Sequence, residues 1–317
     1  MLRREGPLLR RAASAPVLCI LGTVYLWSLI PLAVKVAYGS FNFGFIAFTR
    51  LAIGACLFVV MELAARRGLR FTMVPASPPV AGPAWMGPRV WVVIAGVGIG
   101  GDLLLYTLGL HKTTASAATL IVSTDGIILA LLGVLVLRER MSWFKTCAGI
   151  TALSGLALVG WNGQDLSALV RSDYFLGNVI ILCAAFCWAA YGLGQRALAK
   201  MPGGSLVWIF LVGTALAAIV AFARPIAHSP ITWKPVVAVL YLGFGGTGLA
   251  YILFAKGMAR LEAATVGVLS STLPLFTMVQ AHYWLKEPIT IYLLGGAAMV
   301  IAGVTLIMRH QRVYGEE

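Results

Sequence analysis

The amino-acid sequence predicts an all-α integral membrane protein with ten transmembrane helices arranged as two inverted five-helix repeats. Three observations lead to this fold class: the composition, ten apolar runs of membrane-spanning length, and an internal duplication. The chain of 317 residues is 60% hydrophobic and only 11% charged, with a mean hydropathy of +0.91. Soluble domains carry about 25% charged residues, so this composition indicates a membrane protein.

Apolar runs of roughly 20 residues recur along the whole chain, and such a run crosses a ~30 Å hydrocarbon core at about 1.5 Å per residue. The ten predicted spans cover residues 15–36, 43–65, 90–110, 116–137, 143–161, 174–196, 205–223, 235–256, 264–284 and 289–308. Arginines precede the first run, as in a signal peptide. Its apolar part is too long for one and no small-residue cleavage site follows, so we interpret it as a retained first helix.

The basic residues divide unevenly between the two membrane faces. With the N-terminus in the cytoplasm, seventeen Lys and Arg fall at inner ends of spans and six at outer ends, while Arg50 lies within a span. Cytoplasmic loops carry an excess of basic residues, so we expect both termini in the cytoplasm and the protein in the plasma (inner) membrane of a bacterial-type cell. The net charge of +13 is then mostly a topology signal, with the lipid bilayer as partner and no nucleic acid.

The duplication appears when the second half of the chain is aligned with the first. An offset of 148 residues pairs Gly98 with Gly246, Gly100 with Gly248, Gly109 with Gly257, Ser123 with Ser271, Thr124 with Thr272, Glu139 with Glu287 and Gly155 with Gly303, and an offset of 161 pairs Trp27 with Trp188. We expect a first repeat over residues 1–161 and a second over 174–308. Each repeat holds five helices, an odd number, so the second copy crosses the membrane in the opposite sense.

Each repeat ends in a glutamate, a serine or threonine three residues later, and a helix rich in small residues. Glu139 with Ser142, and Glu287 with Thr290, carry this pattern. Together with the ten spans it resembles the drug/metabolite transporter superfamily, in its ten-helix EamA-type branch. The resemblance covers nearly the whole chain and implies two inverted five-helix bundles, alternating access, and commonly the export of amino acids or other small metabolites.

Two prolines fit this family pattern and are expected to break or kink their helices near a central cavity, because proline removes a backbone hydrogen bond. Pro31 follows Trp27 in the first span, and Pro274 lies within the ninth. The repeat partner of Pro274 departs from the family pattern, since it is Gly126, directly after Asp125.

Three charged residues lie inside predicted spans, where each costs ~2.5 to 3.5 kcal/mol even on lenient insertion scales. Counting ~1.5 Å per residue from the outer ends, Arg50 is about 10 Å deep, Asp102 about 12 Å and Asp125 about 14 Å. We therefore expect the three charged residues, on the second, third and fourth helices, to lie in one layer of the membrane. One arginine cannot neutralise two aspartates, so one carboxyl is left to take a proton or bind a cationic group. The second repeat has only apolar residues at these positions.

Two interpretations of this charge cluster stay open. It is a buried ion pair that fixes helix packing, or it is a substrate or proton site. In the second case Arg50 binds a carboxylate and an aspartate binds an ammonium group, which suits an amino acid. Alternatively, one aspartate forms an ion pair with Arg50 and the other binds an organic cation. The candidate aromatic lining of the same cavity, on helices that surround it in the family, is Trp27, Tyr106, Trp188, Tyr191 and Tyr251.

We therefore predict a secondary transporter that exports a small amphiphilic metabolite, with an amino acid as first choice and an organic cation or drug as alternative. No nucleotide-binding motif is present, so we expect active transport to be driven by a gradient, with protons as the candidate coupling ion. We expect no cofactor, no metal site and no enzymatic activity. An intramembrane aspartyl protease would use Asp102 and Asp125 as a dyad. Its G-x-G-D motif is missed at Ile99, and it would leave the duplication unexplained.

Overall fold

The structure is a computed structural model of the chain and is helical almost throughout. It describes residues 7–66, 87–113, 118, 121–122, 124–138, 143–161, 172–198, 205–223, 225–261, 263–270, 272–285 and 290–314. Within these ranges the only β-pairing is an isolated bridge between Phe41 and Ala227. The motif residues Glu139, Ser142 and Glu287 lie outside the described residues.

The helices correspond to the predicted spans, several of which are interrupted. They are α1 (Pro7–Ser28), α2 (Ile30–Tyr38), α3 (Phe43–Arg66), α4 (Pro88–Lys112), α5 (Asp125–Leu137), α6 (Trp143–Trp161), α7 (Ser172–Ala197), α8 (Ser205–Phe222), α9 (Trp233–Gly243), a π-helix (Phe244–Leu249), α10 (Ala250–Met258), α11 (Ala263–Ser270), α12 (Leu273–Leu285) and α13 (Ile291–Tyr314). The first span thus comprises α1 and α2, the eighth comprises α9, the π-helix and α10, and the ninth comprises α11 and α12.

Length and apolar composition fit a membrane protein. Among the described residues, five stretches are long and apolar enough to cross a membrane: Ala15–Tyr38, Phe43–Ala64, Pro88–Lys112, Phe175–Ala197 and Trp233–Met258. Shorter apolar helices accompany them. Large apolar side chains such as Leu135, Ile219 and Ile291 are about three-quarters exposed on the outside of the bundle. A lipid environment makes such a surface favourable.

Helix packing follows a two-fold relation between the halves. α4 packs along α7, which sets the third span against the sixth; the counterpart contact, the eighth span against the first, is made by α10 with α1 and by α9 with α2. Three further pairs join equivalent helices: α3 with α8, α5 with α11, and α6 with α13. α4 also packs against α8, and the counterpart contact joins α3 to α9 and the π-helix. This is the contact pattern of two inverted five-helix repeats.

Glycines matched by the duplication lie at equivalent helix crossings. A Cβ atom on Gly109 of α4 would lie 2.7 Å from Cδ1 of Ile181 on α7. A Cβ atom on Gly257 of α10 would collide with Cδ1 of Ile20 on α1. Ile20 and Ile181 are themselves related by the offset of 161 residues. Both crossings require glycine because the facing isoleucine occupies the space of a side chain.

The fourth and ninth spans are broken at equivalent positions. The hydroxyl of Thr124 donates to the carbonyl of Ile121, and that of Thr272 donates to the carbonyl of Leu269, each at 2.7 Å. These short-range bonds satisfy the backbone where the helix is interrupted. α5 and α12 each begin at the next residue, so that two half-helices start within the membrane region.

The first span is also broken, at Leu29 between α1 and α2. Pro31 is the second residue of α2, a position where the missing N–H costs no helical hydrogen bond. Pro274 is likewise the second residue of α12. Each break thus precedes its proline by two residues. Further along α12, Nε2 of Gln280 donates to Oγ of Ser28, the last residue of α1, at 2.6 Å.

The loops at one end of the bundle are bound to each other. Residues 39–42, between α2 and α3, contact residues 225–230, between α8 and α9, and we call these two segments the clasp. The backbone N–H of Asn42 donates to the carbonyl of Ile226 at 3.0 Å, and Oγ of Ser40 donates to the carbonyl of Pro230 at 2.9 Å. The sequence predicts that this end is the outer one. The clasp links the two repeats on that side.

Candidate functional site: a charged cavity between the two repeats

A cavity lies between the two halves, where helices from both repeats meet. Its volume is about 70 Å³, and its described lining residues are Trp27, Ile30, Arg50, Asp102, Leu103, Tyr106, Val122, Asp125, Ala185, Trp188, Tyr251 and Leu273. By the measure of about 10–15 Å³ per water molecule, it has room for roughly five waters. Both repeats contribute to its wall, as expected for inverted repeats with a site at their interface.

Three helices begin at this cavity. Ile30, Asp125 and Leu273 are the first residues of α2, α5 and α12, and all three line it. A helix N-terminus carries a partial positive charge of about half an elementary charge together with unsatisfied N–H groups. Each of these helix starts therefore favours a negative group placed directly at it.

Asp125 owes its position to one of these helix starts. The apolar run predicts a continuous helix with Asp125 near its middle, whereas the structure interrupts the helix at Thr124 and makes Asp125 the first residue of α5. Its side chain is 8% exposed and lines the cavity. The carboxylate thus lies at the positive end of a helix, which lowers the cost of a charge at this depth.

The three intramembrane charges line the same cavity. Arg50 on α3 is 3% exposed, and Asp102 on α4 is 9% exposed. Arg50 interacts electrostatically with Asp102, and its Nε donates to Oγ1 of Thr247 in the π-helix at 3.4 Å. In the described part of the wall, one guanidinium therefore faces two carboxylates, those of Asp102 and Asp125.

The π-helix contacts two residues of the cavity wall, Arg50 through Thr247 and Trp27 through Gly246. In a π-helix each carbonyl accepts from five residues ahead, and such turns are frequent at functional sites. Nε1 of Trp27 donates to the carbonyl of Gly246 at 3.1 Å, and Oγ1 of Thr23 donates to that of Ala250 at 3.0 Å. The equivalent segment of the first repeat, residues 96–101, stays α-helical within α4.

Sequence reasoning missed Thr247 and the π-helix. The available signal is the run GFGGTG, whose four glycines weaken an α-helix by roughly 1 kcal/mol each relative to alanine. A helix of low intrinsic stability adopts a wider turn easily. The same run leaves Thr247, with no exposed surface, as the polar side chain opposite Arg50.

Four of the five predicted aromatic residues line the cavity: Trp27, Tyr106, Trp188 and Tyr251. The ring of Trp27 lies 5.7 Å from Trp188 and 5.3 Å from Tyr251, centroid to centroid. The fifth, Tyr191, has no exposed surface and is not part of the wall; its ring packs behind Tyr251 at 5.3 Å. Tyr191 lies about one helical turn beyond Trp188 on α7, outside the cavity wall.

Fully buried rings lie beyond the cavity, on the side away from the clasp. Tyr191, Phe58, Phe210 and Phe254 have no exposed surface, and we call these four side chains the aromatic layer. Phe58 and Phe210 lie 4.7 Å apart with nearly perpendicular planes, and Tyr191 lies 6.1 Å from Phe254. The layer fills the space between α3, α7, α8 and α10 and separates the cavity from that end of the bundle.

The fold and the cavity together define a class of protein. A helical membrane protein of two inverted repeats, with broken helices that begin at a charged cavity between them, has the architecture of a membrane transporter. The chain matches the model of the EamA-like transporter family over residues 14–161 and 175–309, and it belongs to that family.

Several relatives and a solved structure are similar over most of their length. The uncharacterized inner membrane transporter YhbE of Escherichia coli K12 is 23% identical, over 97% of this chain and 95% of its own. The probable terminal-alkyne amino-acid exporter of Streptantibioticus cattleyicolor is 24% identical, over 93% of this chain and 94% of its own. A crystal structure with 20% identity superposes with a TM-score of 0.74 over 92% of this chain and 97% of that chain, which shows the same fold.

Proposed function

We propose that the protein exports a small amphiphilic metabolite, an amino acid, through the cavity by alternating access. The observation that carries the proposal is the presence of both charge signs in one buried cavity: the guanidinium of Arg50 and the carboxylates of Asp102 and Asp125. A guanidinium binds a carboxylate with two parallel charge-assisted hydrogen bonds, and carboxylates bind an ammonium group. A free amino acid carries both groups.

Three further features support an amino acid. The helix N-termini of α2, α5 and α12 favour an anionic group in the cavity. The volume of about 70 Å³ is well below the ~300 Å³ at which drug-sized pockets begin, which favours a small substrate. A relative that matches nearly the whole chain is named as a probable amino-acid exporter. The alternative is an organic cation, which the excess of carboxylates over guanidinium would suit.

Export implies a second conformation in which the aromatic layer opens. We place the protein in the plasma (inner) membrane with both termini in the cytoplasm, from the distribution of basic residues and the inner-membrane relative. A proton gradient is the proposed driving force, with a cavity carboxyl as carrier. Membership of a family of transporters supports transport over the use of Asp102 and Asp125 as a protease dyad.

The proposal is tested by export from proteoliposomes, with and without a proton gradient. The panel contains radiolabelled L-alanine, L-leucine and L-phenylalanine, with choline as the organic cation. We compare the intact protein with Asp125→Asn and with Glu62→Gln, which removes a carboxylate from α3 outside the cavity lining. We expect amino-acid export that Asp125→Asn abolishes and Glu62→Gln preserves. Export of choline alone would select the cation alternative, and amino-acid export that Asp125→Asn leaves unchanged would exclude Asp125 from the site.

A further inference from the structure

One face of α7 continues from the cavity into the closed part of the protein. Trp188, Tyr191 and Gln195 are separated by three and four residues, so they lie on one face of the helix. Trp188 is part of the cavity wall, Tyr191 belongs to the aromatic layer, and Gln195 lies one turn further, 6% exposed. The face runs toward the end of α7 that the sequence predicts to be cytoplasmic.

Two polar atoms on this face are buried without a partner. The phenol oxygen Oη of Tyr191 and the amide nitrogen Nε2 of Gln195 have no hydrogen bond in the part of the chain that the structure describes. More than nine-tenths of buried polar groups in proteins are paired, because an unpaired one loses its hydration without compensation. Phenylalanine and leucine would fill these two positions at no such cost.

Both side chains are placed where alternating access requires movement. Tyr191 packs against Tyr251 and Phe254 of α10, at ring distances of 5.3 and 6.1 Å. Opening toward the cytoplasmic end separates α7 from α10 or tilts one against the other. The face of α7 then meets water and the substrate, and both orphan atoms gain partners in that conformation.

We propose that Tyr191 and Gln195 form a second binding station on the cytoplasmic side of the cavity, which takes the carboxylate of the substrate. The two atoms are hydrogen-bond donors, a phenol O–H and an amide N–H, and a carboxylate is an acceptor at both of its oxygens. An exported substrate meets Gln195, then Tyr191, then Arg50. The carboxylate assignment rests on the proposed amino-acid substrate, whereas the position of the path rests only on the two orphan atoms.

The path is tested by thiol accessibility. Gln195→Cys and Ala189→Cys are made with the five native cysteines replaced by alanine, and a membrane-impermeant maleimide is added to inside-out vesicles. Ala189 is the matched control, because it is fully buried on the same helix but about 100° away from Trp188, the nearest residue of that face. We expect modification at position 195 at least ten times faster than at 189. Equal, near-zero modification at both positions would overturn the proposal.

The ligand class is tested in the same vesicles. Gln195→Cys keeps the phenol O–H of Tyr191 as donor to the carboxylate, so L-leucine is expected to protect the thiol at position 195 from the maleimide, whereas L-leucinamide, which lacks the carboxylate, is expected not to. Equal protection, or no protection by any amino acid of the panel, would overturn the carboxylate station. Rapid modification at 195 in a protein that exports no amino acid would leave the path in place and reject the amino-acid substrate.

The role of the hydroxyl is tested by Tyr191→Phe, with Tyr25→Phe on the half-exposed surface of α1 as control. The substitution leaves the packing of the aromatic layer unchanged and removes the orphan atom. We expect an unchanged or higher melting temperature together with about tenfold slower export, because the hydroxyl acts only in the open conformation. A variant with full export rate would show that the hydroxyl serves neither opening nor binding.

Discussion

Replacement of Arg50 by glutamine separates the two roles that the cavity allows for this side chain. Arg50 is almost fully buried, donates from Nε to Thr247, and lines the cavity that Asp102 and Asp125 share. If Arg50 only balances the aspartates, its loss weakens the fold and affects every substrate equally. If it binds the substrate carboxylate, the loss is selective for substrates that carry one.

The size of the selective effect follows from the lost hydrogen bonds. A hydrogen bond to a charged partner contributes about 1.5–3 kcal/mol, and each 1.4 kcal/mol changes affinity tenfold. Arg50→Gln should therefore raise the half-saturating concentration of L-leucine by roughly 10- to 150-fold. Leucinamide, used as a competitor, should keep its affinity. Arg50→Lys should give an intermediate value, because lysine keeps the charge without the planar fork.

The assay is competition against labelled substrate in proteoliposomes, with protein folding checked by size-exclusion chromatography and melting temperature. The Thr247 hydroxyl, which loses its partner in Arg50→Gln, adds a destabilisation of about 1–3 kcal/mol. A variant with equal losses for L-leucine and leucinamide, or with no loss for either, would refute the assignment of Arg50 as the carboxylate-binding residue.

Two other substitutions test the elements around the cavity. Thr247→Val should raise the half-saturating concentration of L-leucine about five- to tenfold, because it removes the hydroxyl that accepts from Arg50. Thr247→Ser keeps the hydroxyl and should leave this concentration unchanged. The control is Thr214→Val on α8, since the Thr214 hydroxyl donates within its own helix. Gly109→Val and Gly257→Val should each destabilise the protein by about 1–3 kcal/mol, because each forces a side chain into an isoleucine at an equivalent crossing. A large difference in melting temperature between the two glycine variants would contradict the two-fold relation.

The fold was predictable because its determinants are local and repeated. Apolar runs set the spans, and the duplication aligned Gly109 with Gly257, which the structure places at equivalent crossings in the two halves. The helix breaks were less predictable. Thr124 and Thr272 were aligned by the duplication, yet an isolated threonine in an apolar run gives no sign that its hydroxyl will close a turn.

The cavity was predictable only in part. Arg50, Asp102 and Asp125 were recognisable because charged side chains within a span are rare and need partners. Their distances from the outer ends of their helices placed them in one layer. Thr247 and Gln195 carry no charge, and in sequence they look like ordinary polar residues of membrane helices. Only tertiary placement distinguishes them: Thr247 meets Arg50 through a wider helical turn, and Nε2 of Gln195 is buried without a hydrogen bond to any described residue.

The two breaks at Thr124 and Thr272 have a consequence for the rates of the proposed transport cycle. Both halves interrupt a helix at a threonine, but only the first half has a carboxylate directly after the interruption, since Asp125 corresponds to Leu273. In the proposed alternating-access cycle the inverted repeats exchange conformations, and each half takes on the environment that the other had. The substrate therefore meets a different hydration of the same charges on the two sides of the membrane. Loading and release then have unequal rate constants, while the net direction is still set by the gradients.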